Sequence, residues 1–321
     1  MKKLGLLGVC VFMVTQLHAQ IYSYPSLAKQ FSSSYATGSA RMQGMGGNFG
    51  VLGADLSSIA GNPAGLGFYS RSEVGMNLSV LDAQTQATYL DKTTQGANTS
   101  IHIPNFGVVI TGDYMNRSDW RGTFGLSYSQ RTVFTQPLKL EGTNNRSSFL
   151  DHLIEKADSR YKYAGGKDID GNIIDDEYDS YYQAATTPEG VAYQTFLINN
   201  SSSGGAPFNR FEPNLPTNQL GEASNSGVIS QWNFSYGANY KERLFLGIGL
   251  HFSKLKSTND YSWSEEFVGA NYVAGFESIE KLETTGSGIS ATLGLIYKWT
   301  PNLRVSVAAE SPMYYDQMAE R

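Results

Sequence analysis

The chain has 321 residues, with 24 Lys and Arg against 29 Asp and Glu. The net charge of -5 excludes the basic surface that general nucleic-acid binding requires. Charged residues make up 17%, against about 25% in soluble domains. Gly (34), Tyr (20) and Phe (16) are abundant, and the mean hydropathy is -0.30. This is the composition of a chain apolar on one residue in two, as in a transmembrane β-barrel whose lipid and lumen faces alternate along each strand.

Residues 1–19 read as a secretory signal peptide. Lys2 and Lys3 form a basic start and Leu4 to Val14 an apolar stretch, and Leu17-His18-Ala19 is a small-residue exit. Cleavage after Ala19 would leave Gln20 first. The apolar stretch is too short for a spanning helix, which takes about 20 residues. Val9 is not the small residue that lipidation at Cys10 would want, so Cys10 falls in the discarded peptide. The mature chain then has no disulfide, no thiolate nucleophile and no Cys-based metal site.

Residues 20–72 differ from the remainder of the chain. Tyr35 to Gly67 is dense in Gly, Ala and Ser and has no period of two. The segment reads as short helices and tight turns, its glycines able to pack closely against a wall. Asn62 suits an N-cap and Pro63 the first helical position, so Asn62-Pro63-Ala64-Gly65 forms a compact helical turn. An ordinary surface turn is the plainer reading of such a tetrapeptide.

From Glu73 onward, alternation begins. Phe124, Leu126 and Tyr128 share one parity. So do Val228, Trp232, Phe234, Tyr236 and Tyr240, with Gln231, Asn233, Ser235 and Asn239 on the other. Leu244, Leu246, Ile248, Leu250 and Phe252 alternate with Gly247, Gly249, His251 and Ser253. Leu293 to Trp299 and Leu303 to Ala309 repeat the pattern. Asn116–Asp119, Tyr240–Arg243 and Thr300–Asn302 read as short turns. Thr135–Gly227 reads as one long excursion, with helical pieces near Phe149–Ser159 and Pro188–Ile198, and Thr258–Thr285 as a smaller one. Short turns at one end and long loops at the other is the asymmetry of outer-membrane barrels. Trp120, Tyr128, Tyr240 and Trp299 are candidates for interfacial girdles. In a soluble sandwich they would be core.

Other constellations carry less. Asp168 to Glu177 has a calcium-loop look, but Gly166 occupies the first ligand position, so a solvated acidic loop is the stronger reading. In Gly44-Met45-Gly46-Gly47-Asn48-Phe49, Phe49 stands where a dinucleotide fingerprint needs its third glycine. His102, His152 and His251 lack metal-ligand spacing. Nothing nominates a nucleophile with its base. No enzyme activity, cofactor or metal is therefore expected.

Two blocks carry a family resemblance. Gly38-Ser39-Ala40-Arg41-Met42-Gln43-Gly44-Met45-Gly46-Gly47, followed by Asp55 to Gly67, resembles the N-terminal hatch of the FadL/OmpP1/TodX family, with Asn62–Gly65 its most specific mark. Gly286-Ser287-Gly288 through Tyr297, then Pro301 to Val305, resembles a later strand–turn–strand of that family, in the form found in Bacteroidetes-type bacteria. The resemblance implies an all-β, antiparallel transmembrane barrel of fourteen strands. It also implies a hatch of residues 20–72 folded inward, with Asn62, Pro63, Ala64, Gly65, Gly44, Gly46 and Gly47 as hatch and gating residues.

Residues 73–321 supply roughly eight to ten alternating segments, so they are expected to form part of such a barrel. The implied function is passive, plug-gated uptake of long-chain fatty acids or aromatic hydrocarbons across the outer membrane of a Gram-negative bacterium. Its implied partners are membrane lipid and a hydrophobic ligand, with no nucleic acid. FadL-like barrels also serve type IX secretion, where loops bind protein cargo. That is the alternative.

Overall fold

A computed structural model describes residues 24–32, 38–47, 50–112, 119–163, 187–201, 205–211, 216–270 and 272–320. The signal peptide, the acidic run Asp168–Glu177 and most of the Asn116–Asp119 turn lie outside the described residues. The strands are β1 (Glu73–Tyr89), β2 (Lys92–Thr111), β3 (Trp120–Asn144), β4 (Ile198–Ser201), β5 (Gly205–Arg210), β6 (Thr217–Tyr240), β7 (Leu244–Phe267), β8 (Gly275–Thr300), β9 (Leu303–Glu310) and β10 (Tyr314–Glu320).

Eight of these form one antiparallel wall in the order β1-β2-β3-β6-β7-β8-β10, with β9 also on β8; β4 and β5 pair separately. The fold is all-β, as the alternation predicts. β9 and β10 occupy successive stretches of the same edge of β8. They act as one strand interrupted at Ser311–Met313, where Pro312 cannot donate to the ladder. No helix among the described residues is long and apolar enough to cross a membrane.

The two parities become two faces. Trp232, Phe234 and Tyr236 of β6, Leu246, Ile248, Leu250 and Phe252 of β7, and Leu293, Leu295 and Tyr297 of β8 are exposed on the outer face. Asn233, Ser235, His251, Ser253, Ser290 and Thr292, on the other parity, are buried inside. The apolar band is bordered by aromatic rows. At one border Trp120 lies 4.6 Å from Tyr240 between ring centroids, and Tyr297 lies 6.1 Å from Trp299. At the other, Phe106, Tyr128 and Trp232 form a mutual cluster with centroids 5.2–5.7 Å apart.

Tyr128 is mid-strand rather than at a strand end, because the strands run on past the band. β6 and β7 have 24 residues each and β8 has 26, where a tilted spanning strand needs about 9–11. Past Phe252 the outer face turns charged. Lys256 pairs with Glu283 at 3.4 Å, Lys281 with Asp260 at 3.9 Å, and Lys139 with Glu222 at 3.2 Å.

This corrects both expected excursions. β3 continues to Asn144 and β6 starts at Thr217, so the long one spans 145–216; the smaller one shrinks to 268–274. Beyond the band the outer face turns polar and the apolar residues move to the inner parity, as with Leu138, Leu140, Tyr261 and Trp263, so the outward apolar alternation ends while the ladder persists. The end with the long excursion also carries a two-residue hairpin turn, Leu90-Asp91, both at positive φ (44° and 66°). Loop length therefore does not separate the two ends cleanly.

Helices α3 (Phe149–Tyr163) and α4 (Pro188–Gln194) form where helical pieces were expected, although Ile198 belongs to β4. They build a cap on the extended strands, with a core of Leu150, Leu153, Ala157, Ala192, Phe208 and Phe267. Its anchor is Glu265, whose carboxylate is 1% exposed. It accepts from Ser148 Oγ, from Phe149 N at 2.7 Å, from Gln219 Nε2 at 2.7 Å and from Trp263 Nε1 at 3.0 Å.

Candidate functional site: the hatch and its seat

Inside the wall lie the elements of the hatch: α1 (Tyr24–Ser32), α2 (Ala40–Gly44), and two 3₁₀ turns, η1 (Leu56–Ser58) and η2 (Pro63–Phe68). One carboxylate joins the two parts of the first block, Gly38–Gly47 and Asp55–Gly67. Asp55 Oδ2 accepts the Ser39 hydroxyl at 2.7 Å, and its Oδ1 caps η1 by accepting from Ser57 N at 2.9 Å. Ser39 caps α2 in turn, accepting from Met42 N, and its own N–H donates to Ser57 Oγ at 2.8 Å. Leu56, Ile59, Leu66 and Tyr69 close into a small core with Val109 of the wall. Burial, with Glu73 and Asp55 nearby, pushes the Tyr69 phenol up, so it stays neutral.

Asn62 and Pro63 do what their types predict. Asn62 caps η2, its Oδ1 accepting from Ala64 N at 3.1 Å, and Pro63 takes the first position of the turn. Asn62 Nδ2 also donates to Gly50 O at 2.7 Å. Asn62 and Ala64 are fully buried.

What buries them is a row of glycines. Gly237, Gly247 and Gly294 are direct cross-strand partners on β6, β7 and β8. A Cβ on Gly237 would lie 2.6 Å from Pro63 O and 2.6 Å from Leu66 Cβ. On Gly247 it would lie 2.2 Å from Ala64 N and Pro63 C, and on Gly294 1.9 Å from Asn62 Oδ1. Any side chain in this row would occupy the space of the η2 backbone.

Around the row, wall side chains reach the hatch. Arg121 Nη2 and Asn239 Nδ2 each donate to Gly67 O at 3.1 Å, and Ser235 Oγ donates to Ile59 O at 2.6 Å. Phe245 stacks on Phe68 with centroids 3.9 Å apart, and the Arg304 guanidinium lies 4.6 Å from the Phe68 ring.

The other glycines expected to serve the hatch do something else. A Cβ on Gly44 or Gly46 would meet nothing, so neither presses on the wall. Gly46 and Gly47 both sit at φ +72°, ending α2 with N–H bonds back to Gln43 O and Met42 O. They are needed for backbone conformation. Gly65 does pack closely, a Cβ there meeting Ser58 Oγ at 2.7 Å.

Beyond η2 toward the cap, the interior continues as a polar layer. His251 Nδ1 donates to Asn233 Oδ1 at 2.8 Å, which leaves Nε2 to accept from Thr292 Oγ1 at 2.8 Å. Asn233 Nδ2 donates to Ser129 Oγ at 2.9 Å. Arg131 of β3 and Glu310 of β9 pair at 2.7 Å. α1 lies against this region, with Phe31 edge-on to Phe134 at 6.1 Å and Gln30 Nε2 donating to Ser257 Oγ. A cavity of about 340 Å³ opens there, lined by Phe31, Ile229, Met313, Tyr315, Ser32 and Arg131.

No family model matches the chain, and no curated protein matches it. A solved structure that aligns with it is the CymD monoaromatic hydrocarbon channel, at 10% identity over 88% of this chain and 95% of that one, with a TM-score of 0.19.

Proposed function

We propose that this chain forms an outer-membrane channel for passive entry of hydrophobic molecules, with the hatch setting the passage. The carrying observation is one assembly: an apolar outer band bordered by aromatic rows, a polar interior, and a hatch seated on a three-strand glycine row. An outer-membrane barrel places apolar side chains toward lipid and polar ones toward its lumen. A wide barrel lumen needs a stopper if it is not to leak. The Phe31–Tyr315 cavity, with Ile229 and Met313 on one part of its lining and Ser32 and Arg131 on another, suits a molecule with an apolar tail and a polar end. A long-chain fatty acid or an aromatic hydrocarbon is the substrate class we favour, in keeping with the two FadL-like sequence blocks. No step in such passage calls for catalysis or a cofactor.

The membrane reading is tested at Ile248. Ile248→Arg puts a charge in the centre of the outer band, and should cost about 2–4 kcal/mol if that band lies in lipid. Denaturant titration in lipid vesicles measures it, and a cost near zero would sink the membrane reading.

The hatch is tested by Asn62→Ala, Pro63→Gly and deletion of residues 21–70. Asn62→Ala removes a cap worth about 0.5–2 kcal/mol. Labelled-oleate uptake, normalised to outer-membrane protein level in a full-length version, should change in all three. Unchanged uptake throughout would remove the gating role.

A second reading has its own observation. On the cap side, Phe196 and Tyr272 are well exposed, and Phe211 packs edge-on against Tyr272 at 5.9 Å. In a cargo-binding barrel of a secretion system these rings would be contact residues. Replacing all three with Ser should leave oleate uptake intact if the chain is a channel, and abolish cargo capture if it is a carrier.

A further inference from the structure

Past the glycine row, at the end of the wall with the tight turns 241–243 and 301–302, the inner face carries a pair of cations. Outer-membrane barrels turn such short connections toward the periplasm. Lys298 of β8 and Arg304 of β9 are direct cross-strand partners. Their parity is opposite to that of Tyr297 and Val305, which are exposed on the outer face. The Arg304 guanidinium lies 4.6 Å from the ring of Phe68, the last residue of η2, which fixes its inward side. Arg243 stands at the same level, exposed in the turn before β7, its carbonyl accepting from Lys298 N at 2.8 Å.

Like charges directly opposite on a sheet repel, and here no acid offsets them. The two acids at this level are matched elsewhere: Asp119 with Lys241 at 3.3 Å and Glu242 with Arg121 at 3.5 Å. Neither Lys298 nor Arg304 has a carboxylate within ion-pair distance among the described residues. The adjoining inner row, Arg121, Asn239, Phe245, Ile296 and Ser306, holds no acid, and neither does the glycine row beyond it. The first acid on the inner parity of β9 is Glu310, about 20 Å along the strand and paired with Arg131. Arg121, Lys241, Arg243, Lys298 and Arg304 thus stand against Asp119 and Glu242 alone among the described residues.

The surroundings favour an amphiphile as the missing counter-ion. Phe68, beneath the guanidinium, stacks on Phe245 with centroids 3.9 Å apart. A molecule leaving the hatch at this end passes apolar rings and then meets the two cations. We propose that Lys298 and Arg304 bind the carboxylate head of an amphiphile at the exit side of the hatch, its tail along Phe68. Both side chains give a carboxylate charge-assisted hydrogen bonds, and the guanidinium fork matches its two oxygens. Of the two substrate classes favoured above, the site selects the acid over the neutral hydrocarbon. It rests on that channel reading.

The test photolabels the full chain in phosphatidylcholine nanodiscs with a long-chain fatty acid bearing a diazirine beside its carboxylate, and maps the label by mass spectrometry. Wild type should carry label on Phe68 or within residues 298–306. Excess oleate should remove it, and oleyl alcohol, which has the tail without the charge, should not. K298S/R304S should lower the label there about tenfold, since a lost charge-assisted contact costs about a decade in affinity. K241S, which removes a cation already matched by Asp119, should leave it. If the double variant does not assemble, the oleate and oleyl alcohol arms on wild type decide alone. Equal competition by oleyl alcohol, or equal labelling of K298S/R304S, overturns the proposal. So does competition by millimolar acetate, which marks a simple anion site, or by phosphatidylglycerol added to the disc, which assigns the pair to membrane lipid. Label in the Phe31–Tyr315 cavity but not in this stretch overturns the exit site alone. No label anywhere inside the wall overturns the channel reading and this site together.

Discussion

Gly247→Val should release the hatch while leaving the wall standing. The new side chain would meet Ala64 N and Pro63 C, both backbone atoms, at the position where a Cβ lies only 2.2 Å away. A flexible side chain could rotate aside. A 3₁₀ turn held by its own cap and by Pro63 cannot. Overpacking a well-filled core costs about 1–3 kcal/mol, and more where the obstacle is main chain.

Release also has to break the bonds of Arg121 and Asn239 to Gly67 O and of Ser235 to Ile59 O. Undocking would break the contacts of Ala64 with Phe245 and Ile296, and the Phe68–Phe245 stack. We expect trypsin to cut at Lys29 or Arg41 in the variant but not in wild type, with heat-modifiable migration of the wall retained. Gly44→Ala is the control, since a Cβ there meets nothing. If Gly247→Val stays as protected as Gly44→Ala, the glycine row is not the seat.

Glu265→Ala should unfold the cap. Four donors converge on this carboxylate: the Ser148 hydroxyl, the Phe149 amide, the Gln219 amide and the Trp263 indole. All four groups belong to buried or half-buried residues. Each stranded buried donor costs about 1–3 kcal/mol, so the loss adds up to several kcal/mol even after partial rearrangement. It falls where α3 starts, because Ser148 and Phe149 lead into that helix. The strands below keep their ladders, so the damage should stay local. Hydrogen exchange of residues 149–163 should speed up by orders of magnitude, while that of 244–256 holds. Glu265→Gln, which keeps one acceptor but adds a donor among donors, should fall between the two. Unchanged protection of 149–163 in Glu265→Ala would show that the apolar core around Leu150 and Phe208 holds the cap without it.

Much of this architecture is legible in the chain because one face of each strand is apolar. Leu246, Ile248, Leu250 and Phe252 needed only their parity to be placed outward, and Asn233 and His251 theirs to be placed inward. Where the outer face turns polar, as along 136–144 and 217–227, the apolar outward cue is lost and the strands run on unread. The turn at Asn62-Pro63 was also legible, since an Asn cap and a Pro at the first position act through local geometry.

The seat was another matter. Gly237, Gly247 and Gly294 each stand at an inward parity, and three such glycines on neighbouring segments is the one signal that pointed to them. Gly44, Gly46 and Gly47 drew the attention instead because they cluster in sequence. In the structure they end α2 and do not press on the wall.

The sequence by itself determined the class of structure, the two faces of the wall and the cap of the hatch turn. These follow from side-chain periodicity and from hydrogen bonds between residues a few positions apart. Only the tertiary structure decided that three glycines share one cross-strand row, that Asn62–Ala64 lies upon it, and that Ser235 holds Ile59 across 176 positions of chain. Strand register and the path of the hatch bring those residues together. Neither leaves a mark in local composition, because the space a glycine leaves empty has meaning only once something else has filled it.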